Sequence, residues 1–87
     1  MKESIKTIFE NEEQNLEVLY YDREIIFIHG DLINHFSGHN LFETLLFVKL
    51  MKNSGITELQ RAQIMAKVMN YVDEEIEKDK IDKTHGR

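Results

Sequence analysis

The feature that most limits how this chain can fold is an apolar run near its centre. Eight of the eleven residues from Leu41 to Met51 are apolar, so a helix here carries apolar side chains around most of its circumference. A helix that lies on one surface needs only an apolar stripe. Either the remaining segments enclose this helix on two or three sides, or another chain covers part of it.

The chain offers little material for such a cover. It has 87 residues, which make one domain near the lower size limit for independent folding, and no cysteine for disulfides or thiolate metal sites. Its 41% hydrophobic and 31% charged residues are typical of a globular protein. We expect a single α+β domain over residues 1–80 and a flexible C-terminal tail over residues 81–87.

Local patterns predict a short N-terminal helix followed by a β-hairpin. An i, i+3, i+4 apolar stripe within residues 2–13 indicates the helix, with its end near Asn11. Residues 16–21 and 24–29 are rich in β-branched and aromatic side chains, and only two residues separate them. This arrangement predicts an antiparallel hairpin with a tight turn.

The segment 30–39 allows two interpretations. Asp31 can cap a single helical turn that Gly38 ends, and this interpretation is favoured. The alternative is a short third strand beside the hairpin.

Two further helices are predicted to form an αα-hairpin packed on the sheet. Residues 41–53 follow a capping-box-like pair, Asn40 and Glu43, and residues 58–79 follow the pair Thr57 and Gln60.

Both faces of the hairpin carry apolar side chains, as does most of the helix over 41–53, so we expect more apolar surface than one domain can bury. A symmetric homodimer is the commonest solution. The expected interface residues are Phe42, Leu46, Phe47, Leu50, Ile26 and Ile28.

The charge is distributed unevenly. Residues 1–48 contain three Lys/Arg and nine Asp/Glu, whereas residues 49–87 contain eight and seven. An acidic front half disfavours nucleic acid and favours basic partners. The sequence therefore predicts a protein-binding or regulatory module, an inhibitor or adaptor of a larger basic protein, of a kind consistent with a bacterial or mobile-element gene.

We expect no enzymatic activity and no cofactor, because the chain has no glycine-rich phosphate loop, no G-x-S-x-G pattern and no cysteine nucleophile. The first residues lack a signal-peptide apolar core, and the apolar run is too short to span a bilayer. We therefore expect a cytoplasmic protein that does not bind membranes.

Two alternative functions stay open. Residues 41–72 can be interpreted as a helix-turn-helix DNA-binding regulator with Gln60, Arg61, Gln63 and Lys67 on the reading helix. The second alternative is a small metal-binding protein, because four potential ligands fall within eleven residues: His29, Asp31, His35 and His39.

Overall fold

The protein is described by a computed structural model over residues 4–85, with side chains as far as Lys80. The predicted α+β class is confirmed: four antiparallel strands in the order β1-β2-β3-β4 precede two helices that pack on them. The elements are β1 (Lys6–Asn11), β2 (Leu16–Tyr21), β3 (Glu24–His29), β4 (Leu32–Ser37), α1 (Leu41–Asn53) and α2 (Glu58–His85).

The β2–β3 hairpin confirms the two predicted strands. Asp22 and Arg23 form its two-residue turn with φ values of 50° and 69°. Positive φ at both central residues is the backbone of a type I′ turn, whose twist matches that of the strands. Alternate side chains of β2 are buried on one face of the sheet, which we call the inner face: Leu16, Val18 and Tyr20.

The predicted N-terminal helix is wrong, because Lys6–Asn11 of this segment form strand β1; residues 2–3 lie outside the described residues. Thr7 pairs with Leu19 and Phe9 pairs with Val18, so Ile8 is an extra residue in a β-bulge. A bulge turns two consecutive side chains towards the same face. Ile8 is buried and Phe9 packs against the core, and this local irregularity imitates the spacing of a helix.

The favoured helical turn over 30–39 is also wrong, and the alternative strand is the one observed. β4 pairs with β3 from His29↔Leu32 to Glu24↔Ser37. Gly30 has a φ of 63° at the first turn position, where a side chain would be strained. A two-residue loop therefore reverses the chain and adds a fourth strand to the sheet.

Both predicted helices are present, and their starts are capped by side chains. Asn40 accepts a hydrogen bond from Glu43 N at 3.0 Å. Thr57 and Gln60 form both halves of the predicted capping box, at 3.1 and 3.2 Å. Helix α2 continues beyond residue 79 to His85. The flexibility expected for residues 81–87 stays a prediction, and residues 86–87 lie outside the described residues.

The two helices cover the inner face side by side. On α2, Tyr71 stacks on Tyr20 of β2 with 5.4 Å between ring centroids. On α1, Phe47 lies 6.1 Å from Phe27 of β3 and 5.6 Å from Phe36 of β4 between ring centroids. α2 therefore lies over the β1–β2 side of the sheet and α1 over the β3–β4 side. The core is the layer of side chains between the sheet and the two helices.

Gly38 lets the chain pass close to that core between β4 and α1. A Cβ atom at this position would lie 2.8 Å from the Tyr20 hydroxyl oxygen and 3.2 Å from Val72 Cγ2. Only a residue without a side chain fits this contact unless its neighbours shift.

We expect Gly38→Ala to lower the free energy of unfolding by about 1–3 kcal/mol, because the added methyl overpacks the site. Chemical denaturation measures the loss. Tyr20→Phe removes the closest atom, so the double variant should lose less than the two single variants combined. Strict additivity of the two losses would contradict the contact.

Candidate protein-interaction surface

Helix α1 buries one side and exposes an apolar stripe on another. Thr44, Phe47 and Met51 follow i, i+3, i+7 spacing and are buried towards the sheet. The exposed side carries four large apolar residues, which we call the α1 stripe: Leu41 (75% exposed), Phe42 (71%), Leu45 (57%) and Leu46 (44%).

The stripe is exposed because, among the described elements, α1 has only the sheet and α2 as neighbours. One side packs on β3 and β4 and another lies beside α2, and no other described element covers the third side. The apolar run is therefore not enclosed within residues 4–85, and it presents apolar surface to the solvent.

The structure distributes the expected interface residues over three environments. Phe42 and Leu46 are in the α1 stripe, and Leu50 is half-buried at its flank. Phe47 lies in the core with 0% exposure, so it is not accessible to a partner in this fold. Phe47 is buried because it lies three residues after Thr44, on the side of α1 that faces the sheet.

Ile26 and Ile28 lie on the opposite, outer face of the sheet. Ile26 pairs with Leu19, and Ile28 pairs with Ile33. These four residues form the outer apolar band, which no described helix covers; Ile33 is exposed and the others are half-buried. The expected interface residues thus belong to two surfaces on opposite sides of the sheet.

The sequence did not single out Leu41 and Leu45, which complete the α1 stripe. The sequence also did not indicate that Phe47 faces inward, because nearly every position around it is apolar. The buried Thr44 marks the side of α1 that faces the core. Its hydroxyl donates to Asn40 O at 2.9 Å, so this polar side chain can be buried there.

The four potential metal ligands are not brought together. His29 pairs with the buried Leu16 on the inner face, whereas His35 pairs with Ile26 on the outer face. His35 Nδ1 contacts Glu24 Oε1 at 2.9 Å, and His39 Nε2 contacts Glu75 Oε1 at 2.7 Å. Among the described residues, no group of three histidine or carboxylate side chains is placed to hold a metal ion.

Three of the four residues assigned to a DNA-reading helix make hydrogen bonds within the chain. Gln60 caps α2 through Thr57, and the Arg61 guanidinium donates to Ile56 O in the turn. Lys67 Nζ donates to Ile8 O at 3.2 Å. This part of α2 packs on β1.

A polar cluster joins α2 to the hairpin. Glu75 Oε1 accepts hydrogen bonds from the Tyr20 hydroxyl at 2.6 Å and from His39 Nε2 at 2.7 Å. One helical turn further, Arg23 Nη2 lies 2.6 Å from Asp79 Oδ1. That hydrogen bond, reinforced by the charge of Asp79, raises the pKa of the Arg23 guanidinium above its ordinary value. The cluster orients α2 on the sheet.

The fold and these surfaces define a two-layer α+β protein, one sheet and one pair of helices, with an uncovered apolar helix stripe. Comparison with protein-family models, curated proteins and solved structures finds no match. Neither helix, as far as the structure describes them, combines the length and apolarity that crossing a membrane requires.

The two phenylalanines of α1 should respond very differently to truncation. Phe47→Ala is expected to lower the free energy of unfolding by about 3–5 kcal/mol, because it leaves a cavity in the core. Phe42→Ala should change the stability of the single chain by less than about 0.5 kcal/mol. Thermal or urea unfolding of dilute protein measures both, and equal losses would contradict the observed phase of α1.

Proposed function

We propose that this protein is a protein-binding module that forms a symmetric homodimer through the α1 stripe. The observation that carries the proposal is the exposure of four large apolar side chains on one side of one helix. Contiguous apolar surface of this kind marks sites of protein association. A regulatory role follows if the dimer presents its remaining surfaces to another protein.

The energetics are of the right size for association. The four exposed fractions correspond to about two and a half fully exposed side chains. Covering them would contribute about 4–7 kcal/mol per copy, and about twice that for two copies. Association of two proteins costs about 4–15 kcal/mol in lost freedom, so the stripe supplies much of what a dimer requires.

A second copy is a suitable partner because the stripe is self-complementary in chemistry. It carries no charge, and a two-fold axis brings the same apolar side chains of two copies together. A charged partner surface would lose hydration against this stripe without gaining an ion pair.

The wild-type protein should have about twice the 10.3 kDa mass of the chain in light scattering at micromolar concentration. Leu46→Glu should give a folded monomer, because Leu46 is 44% exposed and its replacement places a charge in the interface without disturbing the core. Circular dichroism verifies the fold of the variant.

Leu59→Glu is the matched control, since Leu59 is 69% exposed on α2, outside the stripe. It should keep the wild-type mass. A wild-type protein that stays monomeric up to high micromolar concentration would refute the proposed homodimer.

A second candidate function is binding of a basic protein, and one cross-strand pair favours it. Glu10 of β1 lies directly opposite Glu17 of β2, and Glu12 and Glu13 follow in the connecting loop. Like charges in register destabilise a sheet, and a cationic partner would relieve this repulsion.

An oligolysine peptide tests this candidate by fluorescence anisotropy at low and physiological salt. Glu10→Gln with Glu17→Gln should weaken binding, whereas Glu74→Gln on the exposed side of α2 should not. Equal affinities of both variants would exclude the pair as a docking site.

A further inference from the structure

The two edges of the sheet are built differently. β1 carries a bulge and charged residues at Lys6 and Glu10, features that protect an edge from pairing with another strand. β4 is regular over six residues and contains no lysine, proline or carboxylate. Its side chains Leu32 and Ile33 are 65% and 60% exposed. Such an edge is suited to strand addition.

The hydrogen-bonding phase of β4 identifies the groups that face outward. Gly38 N donates to Arg23 O at 2.9 Å, one pair beyond Glu24↔Ser37. Because antiparallel pairs alternate between bonded and non-bonded, the backbone groups of residues 32, 34 and 36 face β3. Those of Ile33, His35 and Ser37 face the open edge.

Helix α1 already closes one end of this edge. Ser37 N donates to Glu43 Oε1 at 2.7 Å, and Ser37 O accepts from the Thr44 hydroxyl at 3.4 Å. Within the described chain, no strand or side chain is paired with the outward groups of Ile33 and His35. Two N–H and two C=O groups are therefore available to another strand.

We propose that β4 pairs in antiparallel fashion with β4 of a second copy and joins the two sheets into one of eight strands. With the two-fold axis at Asn34, Ile33 of each copy pairs with His35 of the other, and all available groups form four hydrogen bonds. A register shifted by two residues would place half of these backbone groups opposite the turn between β3 and β4. This inference rests on the proposed homodimer and assigns its geometry: of the α1 stripe, it brings Phe42 and Leu46 to the interface and leaves Leu41 and Leu45 on the other flank of α1.

The same axis brings the two α1 helices together. The side chain of Glu43 reaches the open edge at Ser37. Leu46 and Leu50 follow Glu43 at i+3 and i+7, so they lie on the same flank of α1. Phe47 contacts both β3 and β4, so α1 lies between these strands. With strands about 4.8 Å apart, the two α1 axes would be about 10 Å apart, at the upper end of helix packing distances.

The apolar surface available along this edge approaches what a stable dimer needs. Four large side chains are exposed by 44–71%: Leu32, Ile33, Phe42 and Leu46. They present roughly 450 Å² per copy, more than half of the about 800 Å² that each partner buries in a standard interface. The paired strands and Leu50 add to this area.

His35→Pro tests the pairing, with His35→Val as its matched control. Both variants remove the exposed contact with Glu24, but only proline removes the outward N–H, and it leaves the bonds to β3 intact. The proline variant should raise the dimer dissociation constant about 10- to 100-fold in sedimentation velocity. The valine variant should resemble the wild type.

A cross-link provides a second readout that does not depend on a proline. The chain has no cysteine, and Asn34→Cys would place two thiols on the axis with Cα atoms about 4.5 Å apart, within the range of a disulfide. Mild oxidation should give a covalent dimer. Glu13→Cys, in the loop between β1 and β2, should not.

The outcomes separate the two proposals. A monomeric wild-type protein overturns both. A wild-type dimer that Leu46→Glu dissociates, but that persists unchanged in His35→Pro and is not cross-linked through Asn34→Cys, overturns the edge pairing and leaves the homodimer standing.

Discussion

The contact of Phe47 with Phe27 and Phe36 determines how the rest of the protein is arranged. It holds α1 over β3 and β4, and leaves the β1–β2 side of the sheet to α2. Within the described residues, each helix has the sheet on one side and one helical neighbour, so neither is enclosed there. The apolar α1 stripe and its position beside the open edge of β4 both follow from this placement.

Polar contacts hold the later turns of α2 in place. Glu75 joins Tyr20 and His39, and Asp79 joins Arg23, so α2 is anchored through its later turns to the hairpin. Hydrogen bonds specify orientation, because they tolerate little displacement, and the one between Tyr20 and Glu75 is partly buried. The α1 stripe is thus apolar and exposed, whereas polar contacts supplement the apolar packing of the longest helix.

Much of the fold could be predicted, because regular strands and helices have clear sequence patterns of alternation, periodicity and capping. The alternation of Leu16, Val18 and Tyr20 and the pair Thr57–Gln60 led directly to a strand and to a helix start. β1 was misassigned because its bulge places Ile8 and Phe9 on one face. β4 was uncertain because Gly30–Asp31, a two-residue hairpin loop, also resembles the beginning of a helical turn.

The sequence by itself determined that the chain is an α+β protein with more apolar surface than its few elements can bury, since composition and periodicity do not depend on tertiary contacts. Only the tertiary structure decided which apolar residues remain exposed. Phe42 and Phe47 are chemically identical and five residues apart, yet one lies in solvent and the other in the core. The phase of α1 relative to the sheet separates them, and that phase is set by packing across the whole domain.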